Sequence, residues 1–164
     1  MPRDNAVKVS FRLDASVHDA IEKLAKQKSI ETNAYIQRVL TLHATRSGVM
    51  EDAASERLEL TEKIIEAAVQ RARDLDADGK FDQDFILTVI RNIIGDPGLR
   101  ADYEKVVGGD AYQSGLPGKS PLNMYLGWYI KNAIGADPIL DEGGKPRRAQ
   151  VRGEPIQSYT LLKK

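Results

Sequence analysis

Seven residues near the start of the chain, Val7-Lys8-Val9-Ser10-Phe11-Arg12-Leu13, alternate apolar and polar side chains, the period-two signature of a half-buried β-strand. Asp14 follows at an N-cap position, and Val17, Ala20, Ile21, Leu24 and Ala25 repeat at helical spacing to about Lys28, which predicts a short amphipathic helix. Ser29, Ile30 and Glu31 form a brief connection. Thr32 can cap a second helix whose apolar stripe is Tyr35, Ile36, Val39, Leu40 and His43 and which closes at Gly48. A lone strand and two short helices, about 45 residues in all, bury too little apolar surface to offset their ordering entropy. This unit therefore needs a partner.

The whole chain has 164 residues, room for one ordinary domain or two small ones. Apolar residues make up 41% and charged residues 29%, so it can bury a core. There are no cysteines, which removes disulfides, thiolate metal sites and cysteine nucleophiles. His18 and His43 are the two histidines, too few for a three-histidine metal centre. No apolar run approaches the roughly 18 residues of a membrane span, and Met1 to Ala6 lacks a signal peptide's apolar stretch. The expected compartment is the cytoplasm, with no membrane partner. Residues 1–48 hold 8 basic and 5 acidic side chains (net +3), residues 49–112 hold 8 and 15 (net −7), and residues 113–164 hold 8 and 4 (net +4). Basic ends flank an acidic middle, which permits a polyanion partner for the ends.

Beyond Gly48, Glu51 to about Leu75 has no glycine or proline and suggests a long helix. Asp76 to Gly79 stops it. Asp82 is a candidate cap for a helix carrying Phe85, Ile86, Val89, Ile90, Ile93 and Ile94, although its β-branched content leaves a strand open. Asp96-Pro97 is a cap followed by proline at the first helical position, opening a helix to Val107 before Gly108-Gly109. Ser120-Pro121 repeats the device ahead of Leu122 to Ile134, which is apolar nearly all round and is expected to be the central helix of a second domain. A Gly/Pro-rich basic loop with Lys145, Arg147, Arg148 and Arg152 precedes Pro155 and a short strand-like run from Ile156 to Leu162.

If two copies pair their Val7 to Leu13 strands antiparallel, the Val9 and Phe11 face can lie on four helices while Lys8, Ser10 and Arg12 stand outward. The major groove of B-DNA, about 12 Å wide, admits such a ribbon. At these residues, and at Thr32-Asn33-Ala34-Tyr35-Ile36-Gln37-Arg38-Val39-Leu40, the chain resembles the ribbon-helix-helix superfamily of Arc, MetJ and CopG-like DNA-binding proteins over residues 6 to 46. The resemblance implies base contacts from Lys8, Ser10 and Arg12, and phosphate contacts at the start of the second helix from Thr32 and Asn33. Many relatives end their first helix in glycine, whereas Gln27-Lys28-Ser29 has none. The expected fold is mainly α. An N-terminal ribbon-helix-helix over 1–48 (one strand, two helices, an obligate dimer) precedes a helical C-terminal domain over 49–164 with a short β-like tail, serving oligomerisation or partner binding.

The resemblance further implies a prokaryotic, plasmid or phage regulator that binds double-stranded DNA as a homodimer and represses transcription, adjacent dimers assembling on repeated half-sites. The alternatives are a plasmid mobilisation or partition accessory protein, and an antitoxin-like adaptor whose residues 49–164 hold a protein partner. No nucleophile and base pair, metal cluster or intact cofactor loop is visible, so neither an enzyme nor a cofactor is expected. Asp74 to Asp82 follows the first nine positions of a calcium loop, but its twelfth position is Phe85 instead of a carboxylate. Gly118-Lys119-Ser120 matches only the end of a phosphate-binding loop, with Gln113 where a glycine is required, and Ser120 as helix cap explains the same residues. Tyr125, Trp128 and Tyr129 read as core, His18 and His43 as surface or interface residues, and the arginines of the tail as phosphate contacts or a solvated loop.

Overall fold

The computed structural model describes residues 7–28 and 30–164; residues 1–6, including Ala6 at the edge of the resembling stretch, and Ser29 in the first connection lie outside them. The fold is mainly helical, with six helices and four short strands among the described residues. Helix α1, Ala15–Gln27, begins where Asp14 accepts the Ser16 amide at 2.9 Å. Its C-cap Lys28 has φ −94°, an ordinary backbone region, so this end needs no glycine. Helix α2, Thr32–Arg46, leads to Gly48, whose φ of +73° suits glycine.

Helix α3, Asp52–Ala77, is the spine, packing against α2 and the three helices that follow. Its inner face is Ile64, Ile65, Ala68 and Ala72, where the two alanines let neighbouring helices approach closely. Residues 85–95 form helix α4, Phe85–Gly95, and not a strand; Phe85, Ile86, Leu87, Val89, Ile90, Ile93 and Ile94 are all buried. Its N-cap is Asp84, whereas Asp82 accepts the Asp84 amide two residues earlier. Helix α5, Pro97–Val107, starts as expected: Asp96 accepts from Gly98 and Leu99, with Pro97 at the first helical position.

Helix α6, Lys119–Ala133, begins ahead of Ser120, with Gly118 at its cap position. The reason lies in Lys119, whose Nζ donates to the carbonyls of Ala111 (2.6 Å) and Gln113 (2.8 Å) and ties the preceding loop down. Burial holds this amine below its usual lysine range. A phosphate-binding role for Lys119 is thereby replaced by a structural one. Nor is α6 the central helix: Leu122, Leu126, Tyr129 and Ile130 face the core, while Met124 and Tyr125 are exposed. The more completely enclosed helix is α4, because α3, α5 and α6 all pack on it.

The tail forms two small antiparallel pairs; β3 and the start of β4 fall on the expected strand-like run from Ile156 to Leu162, and the basic stretch before it contributes β2 instead of staying a loop. Strand β1 (Asp137–Pro138) pairs with β4 (Leu162–Lys163), and β2 (Arg148–Gln150) pairs with β3 (Ser158–Thr160). Ala149, Tyr159 and Leu162 anchor them on the helical core. Tyr159 donates to Asp84 at 2.7 Å, and Leu162 N–H donates to the Gln83 carbonyl at 3.0 Å. No described helix is long and apolar enough to cross a membrane.

Candidate nucleic-acid interface

Residues 7–14 form no strand in the single chain; all of them are exposed. The physical reason is that a strand exists by its ladder, and one chain offers this segment no neighbouring backbone. Lys8, Ser10 and Arg12 stand in solvent. So do the alternate positions: Val7 is 83% exposed, Val9 71%, Phe11 54% and Leu13 40%. The segment is joined directly to α1 through Asp14, whose carboxyl is held below its usual range chiefly by the Ser16 hydroxyl and then by the Ser16 amide.

Thr32 is not the cap of α2; Glu31 occupies that position, and its side chain makes no capping hydrogen bond. Thr32 and Asn33 are the first helical residues, half-buried and exposed respectively. No acidic residue lies within the first helical turn. The leading N–H groups of the helix thus receive no side-chain cap, the condition in which a helix N-terminus attracts an anion, although the exposed Glu31 carboxylate beside it works in the opposite sense.

The burial of α2 departs from the sequence expectation in part. Tyr35 and Ile36 of its apolar stripe are half-buried, Tyr35 against the core, whereas Val39 is 46% and Leu40 55% exposed and His43 is also in solvent. The face packed on α3 carries Ala34, Arg38, Thr41 and Thr45, of which Arg38 and Thr45 are buried. Arg38 Nε lies 2.8 Å from Glu62 Oε2, and its Nη2 donates to Glu66. Ser55 donates to the Thr45 carbonyl at 3.2 Å, and Arg73 to the Lys28 carbonyl at 3.1 Å. Burial pushes Glu62 above the usual carboxylate range, with Arg38 opposing the shift and Glu66 adding to it. A cavity of about 140 Å³ adjoins this pair, lined also by Gln37, Tyr125 and Tyr129. Sequence reading missed Arg38 as an anchor, since a cation between apolar positions gives no sign of which face will be covered.

On α1, Val17 and Leu24 are likewise exposed, at 46% and 43%, whereas Ala25 is buried. The N-terminal unit is therefore attached to the helical body by Ala25, Ile30 and Tyr35 together with the polar contacts of Arg38, Thr45 and Lys28, and it presents Val17, Leu24, Val39, Leu40 and the exposed residues 7–13 outward.

The other candidate sites dissolve on folding. Asp74 and Asp76 belong to α3, where a calcium loop would need extended chain; Asp74 accepts from Gln70, and Asp76 pairs with Lys164. No cluster of three or more ligating side chains is placed to hold a metal ion among the described residues. His18 and His43 are both exposed. Trp128 and Tyr129 pack edge to face on the core side of α6, as expected of core aromatics, while Tyr125 is 41% exposed.

Compared with known proteins, the chain matches no protein-family model, no curated protein and no solved structure.

Proposed function

We propose that this protein is a sequence-specific DNA-binding regulator that acts as a homodimer. Two copies of residues 7–13 pair antiparallel into a ribbon that enters the major groove, where Lys8, Ser10 and Arg12 contact base edges. Thr32 and Asn33, at the uncapped start of α2, hold the flanking phosphates. The reading gives the chain a binding role and no chemistry of its own.

One observation carries it: the N-terminal unit leaves Val7, Val9, Phe11, Leu13, Val17, Leu24, Val39 and Leu40 exposed. Large apolar side chains concentrated on one short stretch mark a surface awaiting a partner. A second copy meets that need symmetrically, because an antiparallel ribbon pairs the same residues from both chains. Pairing also supplies the missing ladder and turns the polar alternation of Lys8, Ser10 and Arg12 to one side.

The test is binding to DNA taken from beside the protein's own coding region, against random duplex, over a salt series. A residual preference persists after the electrostatic part is screened. Arg12→Ala relaxes the sequence preference, a good base contact being worth about 1 to 3 kcal/mol, whereas Thr32→Ala weakens binding to all sequences alike. A monomer at micromolar concentration, or footprints indifferent to Arg12→Ala, would overturn the reading.

A further inference from the structure

Strand β2 and the bend after it present a second row of polar side chains. Arg148 and Gln150 on the strand and Arg152 just past its end are exposed, while Ala149 and Val151 pack against the core. In the β2–β3 register Arg148 faces Thr160 and Gln150 faces Ser158. Arg148 donates to the Ser158 hydroxyl at 2.8 Å and reaches the Thr160 hydroxyl at 3.4 Å, which orients its guanidinium without neutralising it.

Charge balance around this row favours an anion. None of Lys145, Arg147, Arg148 or Arg152 has a carboxylate within ion-pair distance among the described residues. The nearby acids are engaged elsewhere: Asp141 accepts the amides of Gly143 and Lys145 in its own turn, and Glu154 is held by Arg91. Glu142 remains exposed on the same turn. Beside the row opens a polar cleft of about 510 Å³, bordered by Gln150, Arg152, Gln157, Ser114 and Tyr112, with Lys119, which is tied to backbone carbonyls, and Glu154, which is paired with Arg91, also in its wall. Arginine, glutamine and hydroxyl side chains on a firm support are the groups that bind sugar-phosphate chains.

We propose that the outer face of β2, through Arg148 and Gln150 with the hydroxyls of Ser158 and Thr160, together with Arg152 in the bend that follows, is a second contact to the phosphate backbone of duplex DNA. The inference rests on the reading of the chain as a DNA-binding protein. It gives the C-terminal half a direct part in holding the duplex, independent of sequence. The strongly acidic stretch lies between the two contacts in the chain, at residues 49–112.

The experiment measures fluorescence anisotropy of labelled random-sequence duplex with the full chain from 50 to 200 mM salt. It compares the wild type, Lys8→Ala/Arg12→Ala, Arg148→Gln/Arg152→Gln and Arg148→Lys/Arg152→Lys. The glutamine variant is expected to flatten the slope of log affinity against log salt by about 1.8, from about 0.9 per phosphate contact, so its affinity falls about 12-fold less over that range. The lysine variant, which keeps the charge, retains the wild-type slope, and Lys8→Ala/Arg12→Ala retains the contribution of β2. Preference for specific over random duplex is unchanged by the glutamine pair. Wild-type binding whose slope ignores the glutamine pair, or a lysine variant that fails as the glutamine one does, overturns the second contact and leaves the first intact. A wild type that binds no duplex at any salt overturns the DNA reading itself.

Discussion

Arg38→Met tests how the N-terminal unit is attached. Arg38 is 8% exposed and stands between Glu62, at 2.8 Å, and Glu66. Methionine keeps the apolar stem and removes the charge. Breaking a buried ion pair from one side costs about 3 to 5 kcal/mol, because the remaining charge is left uncompensated. Here the Glu66 side chain is 61% exposed and turns to water, and the 140 Å³ cavity lets Glu62 gain some hydration. The loss therefore falls at the lower end, about 3 kcal/mol, or a fall in Tm of about 6 to 12 °C for a chain of this size.

The pH dependence has a definite sign. Glu62 titrates above its ordinary value in the folded chain because it is buried. Its protonation thus favours the fold, a contribution fully present below the unfolded value and lost as pH rises through the raised one. Removing Arg38, which draws that value down, lifts it further and widens the window upward. Urea unfolding at pH 7 and pH 5 should give a smaller deficit for Arg38→Met at pH 5. Adding Glu62→Gln should recover most of the loss at pH 7. An equal deficit at both pH values, or a double variant no better than the single one, would refute the reasoning.

Three further outcomes follow from particular contacts. Phe11→Asp leaves the stability of the separate chain unchanged, since Phe11 is 54% exposed there. It costs the proposed dimer about 3 to 6 kcal/mol for two lost phenylalanine burials, read as monomer by sedimentation equilibrium. Gly118→Ala destabilises by about 1 to 3 kcal/mol, as in other overpacked sites: its Cβ would lie 3.0 Å from Val107 Cα and 3.1 Å from the Val106 carbonyl oxygen, backbone atoms that cannot swing aside. Asp96→Ala removes the acceptor of two amides at the start of α5 and costs about 1 kcal/mol, measurable as a lowered urea midpoint at constant slope.

The elements legible in the sequence were those built from neighbours in the chain. Asp14 and Asp96 cap helices where they were expected because a side chain reaching its own next amides depends on little else. The glycine at the end of α5 follows the same local logic, with φ +84° at Gly108. Caps at Thr32, Asp82 and Ser120 were misplaced by one or two residues, since the first turn of a helix shifts readily when a neighbour such as Lys119 binds the adjoining loop. The alternation from Val7 to Leu13 is plain in the sequence, yet period two describes only what a segment would do beside another strand.

By itself, then, the sequence determined most helix positions to within one or two residues, leaving the β-branched run of α4 open between helix and strand, because capping and periodicity act over four residues or fewer. Only the tertiary structure decided which faces are used. It put α4 rather than α6 at the centre, laid the Arg38 face of α2 on α3 and left the Val39 and Leu40 face outside. It also gave the strand-like run near the C-terminus its partner, pairing β3 with β2 from the basic stretch that read as a loop. Those choices depend on contacts between residues far apart in the chain, whose energies emerge only when the whole surface of one element meets that of another.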